Sequence, residues 1–262
     1  MKYFFVIGDR TSQSLSPLIF NHWFKVYKIR AKYSYVEVNK NNFEKTLLDK
    51  IKNKKISGFN ITIPFKKNIF KYLDVVNNHA KNIDAVNCVK VIKTNKGINT
   101  DWIGYLNSIK EFKINKSKNI IVLGYGGASK AIVYGLFFKG YKNVLVFNRT
   151  KKQINFKEKK MFTKQYRIIN KHLSTADLII NTTPINPLDK KQIKTVSKNT
   201  VVSDIVYKPK NTAFLRNFKN NKKIYGISML IEQAIPCFYY WFGFKPSVDE
   251  ILIKKINKKI NK

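Results

Sequence analysis

Apolar runs bounded by Gly, Pro and polar clusters recur along the chain, and segments of helical period separate them. Tyr3–Gly8 (YFFVIG) predicts a buried strand that runs into the polar loop DRTSQSLSP. A helix follows from about Pro17 to Tyr27, with Pro17 at its first position and Ser16 as N-cap. Lys32–Val38 alternates as a second strand, and Phe43–Ile51 has the spacing of an amphipathic helix. The stretch Ser57–Lys66 (SGFNITIPFK) predicts a buried strand from Gly58 to Ile63, stopped by Pro64, which cannot donate to a ladder. A helical pattern resumes near Lys67–Asn82, broken by turns. Ala85–Val91 then reads as a strand that pairs with Gly97–Thr100 across the turn KTNK.

The second half repeats the alternation. Asp101 stands where strand turns into helix, on a helix whose apolar face carries Trp102, Tyr105, Leu106 and Ile109. Strand Asn119–Leu123 enters a turn with Gly124, Gly126 and Gly127, and a helix runs from about Ala128 to Phe138. Asn143–Thr150, Ala176–Pro184 and Thr200–Pro209 read as further strands ending in polar residues. A short strand, Gly226 and a hydrophobic helix from about Ser228 follow. Glu232 and Gln233 interrupt that helix, and Pro236 predicts a kink or a junction between helices. The Lys-rich tail from Lys254 reads as a surface helix. Strands and helices in alternation, with no internal repeat, predict an α/β protein.

Composition adds limits. With 262 residues and 44% hydrophobic content, the chain can bury a core without staples. Cys88 and Cys237 stand in apolar surroundings without metal-ligand spacing, so neither a metal site nor a disulfide framework is expected. The apolar run near the N-terminus is too short for a secretory signal, and no stretch approaches the roughly 20 apolar residues that span a bilayer. A cytoplasmic protein without a membrane partner is the expectation. The net charge of +36 raises the question of nucleic acid. The excess is nearly all Lys, scattered along the chain, with Arg only at positions 10, 30, 149, 167 and 216, so compositional drift is favoured over a specific nucleic-acid surface.

Several residues carry chemistry. Ser14 and Ser16 are presented at a helix N-terminus, where N–H groups and the dipole favour an anion. Asn60 and Thr62 are two apart and share a strand face, with Lys66 beyond them. Asn87 is an amide inside an apolar run, and Gln233 on a buried helix needs a partner. Asp101 caps a helix or orients an amine. Strand, Gly-rich turn and helix in that order predict a dinucleotide site. No carboxylate ends the next strand. Asn148, Arg149 and Thr150 stand there, and Arg149, with Thr150 and Lys151 or Lys152, suits the 2′-phosphate of NADP.

The motifs IGDRTSQSLSP, GFNITIPFK, AVNCV, GINTDWIG, GYGGASKA, NRT, NTTP, DIVYKP and GISMLIEQA stand in an order and spacing that resembles the shikimate dehydrogenase family over nearly the whole chain. The resemblance implies two domains, a substrate-binding and catalytic domain of residues 1–101 plus 226–262 and a Rossmann-like NADP-binding domain of residues 102–225. The first has a mixed sheet, and the C-terminal helices return to it. It implies NADPH-dependent reduction of 3-dehydroshikimate to shikimate, in aromatic amino-acid biosynthesis, by a monomer or homodimer. It further implies that Lys66 and Asp101 form the catalytic pair, that Ser14 and Ser16 hold the substrate carboxylate, and that Thr62, Asn87 and Gln233 bind its hydroxyls. Gly124, Gly126, Gly127, Ala128, Asn148, Arg149 and Thr150 would line the NADP site, and Tyr207, Gly226 and Met229 would sit where nicotinamide meets substrate. The chain departs from the family pattern at Arg10, Gln13, Cys88, Tyr125, Gln153 and Pro236, positions that bear on cofactor affinity and discrimination. The competing readings are a quinate/shikimate dehydrogenase using NAD, a cofactor-binding protein without turnover, and a basic nucleic-acid binder.

Overall fold

A computed structural model describes residues 1–156 and 159–260. The chain divides into two compact units, one of Met1–Thr100 with Gln233–Lys259, the other of Asp101–Glu232 with Ile260.

The first unit is built on a six-stranded mixed sheet of order β2-β1-β3-β5-β6-β4. Its elements are β1 (Lys2–Gly8), α1 (Ser16–Val26), β2 (Ala31–Glu37), α2 (Phe43–Ile51), β3 (Ile56–Ile61), β4 (Val75–Val76), α3 (Asn78–Ile83), β5 (Cys88–Val91) and β6 (Asn95–Ile98). β1 lies parallel to both β2 and β3, whereas β5 runs antiparallel to β3 and β6. β1 is buried on both faces, which is why it reads as an unbroken apolar run. One face packs Phe5, Ile7 and Phe59 against Phe43 and Leu47 of α2. The other face is aromatic, with Phe4 4.7 Å and Phe20 5.1 Å from the Trp241 ring.

The second unit holds a five-stranded parallel sheet of order β13-β12-β11-β7-β8. In chain order it comprises α4 (Asp101–Ser108), β7 (Asn119–Leu123), α5 (Gly127–Phe138), β8 (Asn143–Phe147), β9 (Gln153–Phe156), β10 (Lys159–Phe162), α6 (Asn170–Leu173), β11 (Leu178–Asn181), α7 (Lys190–Thr195), β12 (Val201–Asp204), α8 (Ala213–Arg216) and β13 (Lys223–Tyr225). Ile121, Leu123, Ile179 and Val202 share a core with Phe147 and Phe214. The alternate residues Ile120 and Val122 are equally buried, so both sheet faces are covered. Gly135 of α5 lets the Trp102 backbone of α4 approach, since a Cβ there would lie 3.2 Å from Trp102 Cβ.

Two C-terminal helices follow, α9 (Gly226–Phe242) and α10 (Glu250–Ile260). From Gln233 to Lys259 they belong to the first unit, so the chain returns to its N-terminal sheet. Pro236 does not mark a junction, because α9 continues through it. Its missing N–H removes one intrahelical bond, while Cys237, Phe238 and Trp241 are buried around it and hold the helix in place. The tail is more than a surface helix, since α10 starts at Glu250 and buries Leu252, Ile256 and Ile260. Asn261 and Lys262 lie outside the described residues. The hairpin of β9 and β10 was not legible in the sequence, whose Lys-rich stretch there has only a short alternation. Among the described residues no helix is long and apolar enough to cross a membrane.

Candidate functional site

In the first sheet the chain passes from β1 to β2 on one side and returns to β3 on the other. The loops after β1 and β3 therefore part at a topological switch point, where open α/β sheets place ligands. Thr62 N–H donates to the Ile7 carbonyl of β1, and the Asp9 N–H donating to the Ile63 carbonyl ties the two loops together, each bond at 3.0 Å. Gly8 has no Cβ because Thr62 Cγ2 occupies that space. The antiparallel β5 starts at this same edge and β6 ends there, as the registers Asn60 with Cys88 and Cys88 with Ile98 require. The topology thus collects Ser14, Ser16, Thr62, Lys66, Asn87 and Thr100 at one sheet edge.

Ser14 has a structural role that its loop position did not reveal. Its hydroxyl accepts the Ser16 N–H at 3.2 Å. Ser16 is not the N-cap, because the helix already includes it; Leu15 takes the cap position with no side-chain bond, and Pro17 follows within the first turn. Both serines remain at the start of α1, Ser16 buried and Ser14 half-buried.

β3 ends at Ile61, earlier than expected, and Thr62 leads into the following turn. The turn closes where Phe65 N–H donates to the Thr62 carbonyl at 3.0 Å. Phe65 is buried and stacks on Phe43 at 4.0 Å, which anchors the turn beneath Lys66. The Lys66 carbonyl accepts the Val86 N–H at 2.8 Å, joining it to the segment that carries Asn87. Lys66 itself is half-buried.

Behind this edge lies a buried polar network. Asn87 Nδ2 donates to Thr100 Oγ1 at 2.9 Å and to Gln233 Oε1 at 3.3 Å, and Asn87 Oδ1 accepts the Thr100 N–H at 2.8 Å. Gln233 finds there the partner its helix position demanded. Its Oε1 is engaged by Asn87 and by Thr100 Oγ1 at 3.4 Å. Asn60 is committed internally, with Nδ2 donating to the Asn87 carbonyl at 2.9 Å and to Cys237 Sγ at 3.3 Å, and Oδ1 accepting from Tyr33 at 2.7 Å. Cys237 is not in the apolar setting expected of it, because its sulfur also lies 3.1 Å from Thr100 Oγ1. Thr100 and Tyr33 do not stand out in the sequence. A hydroxyl ending an apolar strand just before Asp101 was the available signal for Thr100.

Asp101 opens α4 as the next residue of the chain and is buried, in the second unit, whereas Lys66 belongs to the first.

In the second unit β7 leads to β8 on one side while β11 returns on the other, which makes the gap between β7 and β11 its switch point. Gly124 follows β7 with φ 93°, and a Cβ there would lie 2.7 Å from Thr183 Cγ2 and 2.9 Å from Thr182 Oγ1. Thr182 Oγ1 bonds back to the Leu123 carbonyl at 2.7 Å. Gly126 is the exposed N-cap of α5, without a side-chain cap, and a Cβ built there would meet nothing within 4 Å. Gly127 and Ala128 form the first turn of that helix. Open space over uncapped N–H groups at a helix start fits the pyrophosphate of a dinucleotide. Tyr125 is buried at 6% exposure.

After β8, Asn148 Nδ2 donates to the Thr150 carbonyl at 2.9 Å and shapes the turn that leaves Arg149 and Thr150 exposed. The loop after β12 carries Tyr207, half-buried. Its start is fixed by Asp204, a residue the sequence pattern does not single out although acidic side chains are scarce in this chain. Asp204 accepts from Thr212 Oγ1 at 2.6 Å, from the Val206 N–H at 3.0 Å and from Asn181 Nδ2 at 3.3 Å. Burial raises its pKa from the ordinary Asp value, while these hydrogen bonds pull the other way. Gly226 packs on this loop, since a Cβ there would lie 2.5 Å from the Ile205 carbonyl oxygen. Met229, one turn further along α9, is buried.

Comparison with known proteins agrees over the full chain. Residues 6–89 match the family model described as shikimate dehydrogenase substrate binding domain, and residues 108–226 match that of shikimate / quinate 5-dehydrogenase. A relative from Clostridium beijerinckii named shikimate dehydrogenase (NADP(+)) is 38% identical over 252 residues, 92% of each chain. A crystal structure of a shikimate dehydrogenase in complex with NADP+ superposes with a TM-score of 0.87 at 32% identity, over 100% of this chain and 96% of that one. The Thermus thermophilus enzyme in complex with NADP(H) and shikimate gives 0.85 at 26% identity, over 99% and 100% of the two chains. On sequence and fold together, this chain belongs to the shikimate dehydrogenase family.

Proposed function

We propose that the protein catalyses the reversible NADPH-dependent reduction of 3-dehydroshikimate to shikimate. The observation that carries this reading is the convergence at one switch point of a serine pair, a half-buried lysine and a network of buried amides and hydroxyls, in a chain whose full-length relatives bear that name. Ser14, Ser16 and the N–H groups of α1 bind the carboxylate of the substrate. Thr62, Asn87 and Gln233 hold its ring hydroxyls. Gly124, Gly126, Gly127 and Ala128 receive the pyrophosphate of NADP, with Asn148, Arg149 and Thr150 at its adenosine 2′-phosphate. Tyr207, Gly226 and Met229 border the nicotinamide.

When bound, NADPH supplies the hydride for the ketone carbon. Lys66 stabilises the charge that develops on the ketone oxygen and donates the proton there. Asp101 orients the lysine amine and the substrate hydroxyl. In the reverse direction Lys66 acts as neutral base and Asp101 keeps its carboxylate in place. The +36 charge attracts a small anionic substrate without specific contacts.

Incubation with 3-dehydroshikimate and NADPH tests the reading. Shikimate should appear in step with NADPH loss, and quinate with NADP+ should react more slowly than shikimate. Equal rates on quinate, or faster turnover with NAD, would replace this assignment by the broader quinate/shikimate one.

A further inference from the structure

Tyr33 is a fully buried tyrosine on the edge strand β2, and every part of it is in use. Its ring stacks on Phe20 of α1 at 4.6 Å with an interplanar angle of 9°. Its backbone N–H and carbonyl both bond to the Asn21 side chain of α1 at 2.8 Å. The helix that presents Ser16 is thereby fastened to β2.

The hydroxyl has a forced direction. The Asn87 carbonyl can only accept, so the Asn60 nitrogen must face it, at 2.9 Å. The Asn60 oxygen therefore faces Tyr33, and the Tyr33 O–H must be the donor of the 2.7 Å bond between them. Burial pushes the phenol pKa well above its ordinary value, with the Ser16 side chain as a hydrogen-bonding neighbour. The hydroxyl thus stays protonated at working pH and keeps donating. Asn60 in turn holds the Asn87 carbonyl and Cys237, and Asn87 holds Thr100 and Gln233.

We propose that the Tyr33 hydroxyl is a positioning residue for substrate binding, fixing the Asn60 amide and through it the orientation of the Asn87 and Gln233 amides, beside the serine-bearing end of α1. This rests on the assignment of shikimate to that sheet edge.

Tyr33→Phe keeps the ring stack and the backbone bonds and removes the hydroxyl, with its bond to Asn60 and its contact with the Ser16 side chain. Asn60 Oδ1 then loses its partner in a buried site, a loss that costs more than the bond itself contributed. The variant should fold, raise KM for shikimate about tenfold, change kcat by less than about threefold and leave KM for NADP+ unaltered. In the free protein, the Asn60 side-chain amide protons, followed by NMR, should exchange with water much faster than in the wild type. An unchanged Asn60 exchange rate, or an unchanged KM for shikimate, would overturn the role of Tyr33 even in a fully active enzyme. A wild-type protein that does not turn over shikimate would instead overturn the function proposed above, while the amide exchange still decides whether Tyr33 positions Asn60.

Discussion

At the switch point of the first sheet, side chains do the organising. Tyr33, Asn60, Asn87, Thr100, Gln233 and Cys237 bond to one another and are buried together. At the switch point of the second sheet, the missing side chains matter more. Gly124 and Gly226 sit where a Cβ would collide with neighbouring atoms, and Gly126 leaves open ground at a helix start. The first arrangement suits a small ring with several hydroxyls, each read by a fixed donor or acceptor. The second suits a phosphate chain that must lie close to backbone N–H groups. Asp204, the carboxylate that ends β12, is spent on tying its own loop.

Substitutions that belong to one edge should therefore leave the other edge's kinetic signature alone. Lys66→Ala has the largest expected effect, a loss of at least about 100-fold in kcat with NADPH affinity nearly unchanged, since a proton-transfer group contributes about 10²–10⁴-fold. A near-normal rate in steady-state assays would remove Lys66 from the chemistry. Gly124→Ala attacks the second edge. It forces a left-handed backbone on a β-carbon, which costs roughly 1–2 kcal/mol, and drives that carbon into Thr182 and Thr183. KM for NADP+ should rise at least about tenfold with KM for shikimate unchanged; a matching rise in both would show that the two edges are not separable. Arg149→Ala should weaken NADPH about tenfold while NADH binding barely moves, because a charge-assisted bond to the phosphate is worth about 1.5–3 kcal/mol. Equal losses for both cofactors would mean that Arg149 does not read the phosphate.

The smallest effect is on pH and stability. Asp204 has a raised pKa in the folded protein, with burial as the main cause. Its stability contribution is therefore full below the ordinary carboxylate range and is lost as pH rises through the raised value. Asp204→Asn should flatten that part of the stability profile. Thermal melts from acid to neutral pH would show this as a smaller decline in Tm with rising pH than in the wild type, and an unchanged slope would locate the titration elsewhere.

Legibility in the sequence follows the physics of each feature. β7, α2 and the turn between β7 and α5 are readable to the residue or nearly so, because local pattern and glycine chemistry determine them. The apolar pattern carries β3 two residues too far, since beyond Thr62, whose N–H bonds the Ile7 carbonyl of β1, the chain turns to seat Phe65 on Phe43, a contact distant in sequence. The same holds for Asn60 and Thr100. Their polar side chains are visible, but what they bond to depends on β5 and α9 arriving from elsewhere in the chain. Pro236 argues for a break that tertiary packing overrides.

The most direct test of the account is the initial rate of NADP+ reduction by wild-type protein with shikimate, measured beside NAD+ at matched concentrations. The account predicts saturable turnover with both substrates, within the usual enzymatic range of about 1–10³ s⁻¹, and a kcat/KM for NADP+ well above that for NAD+. Absence of turnover with shikimate, at concentrations where the folded protein binds NADPH, would contradict it.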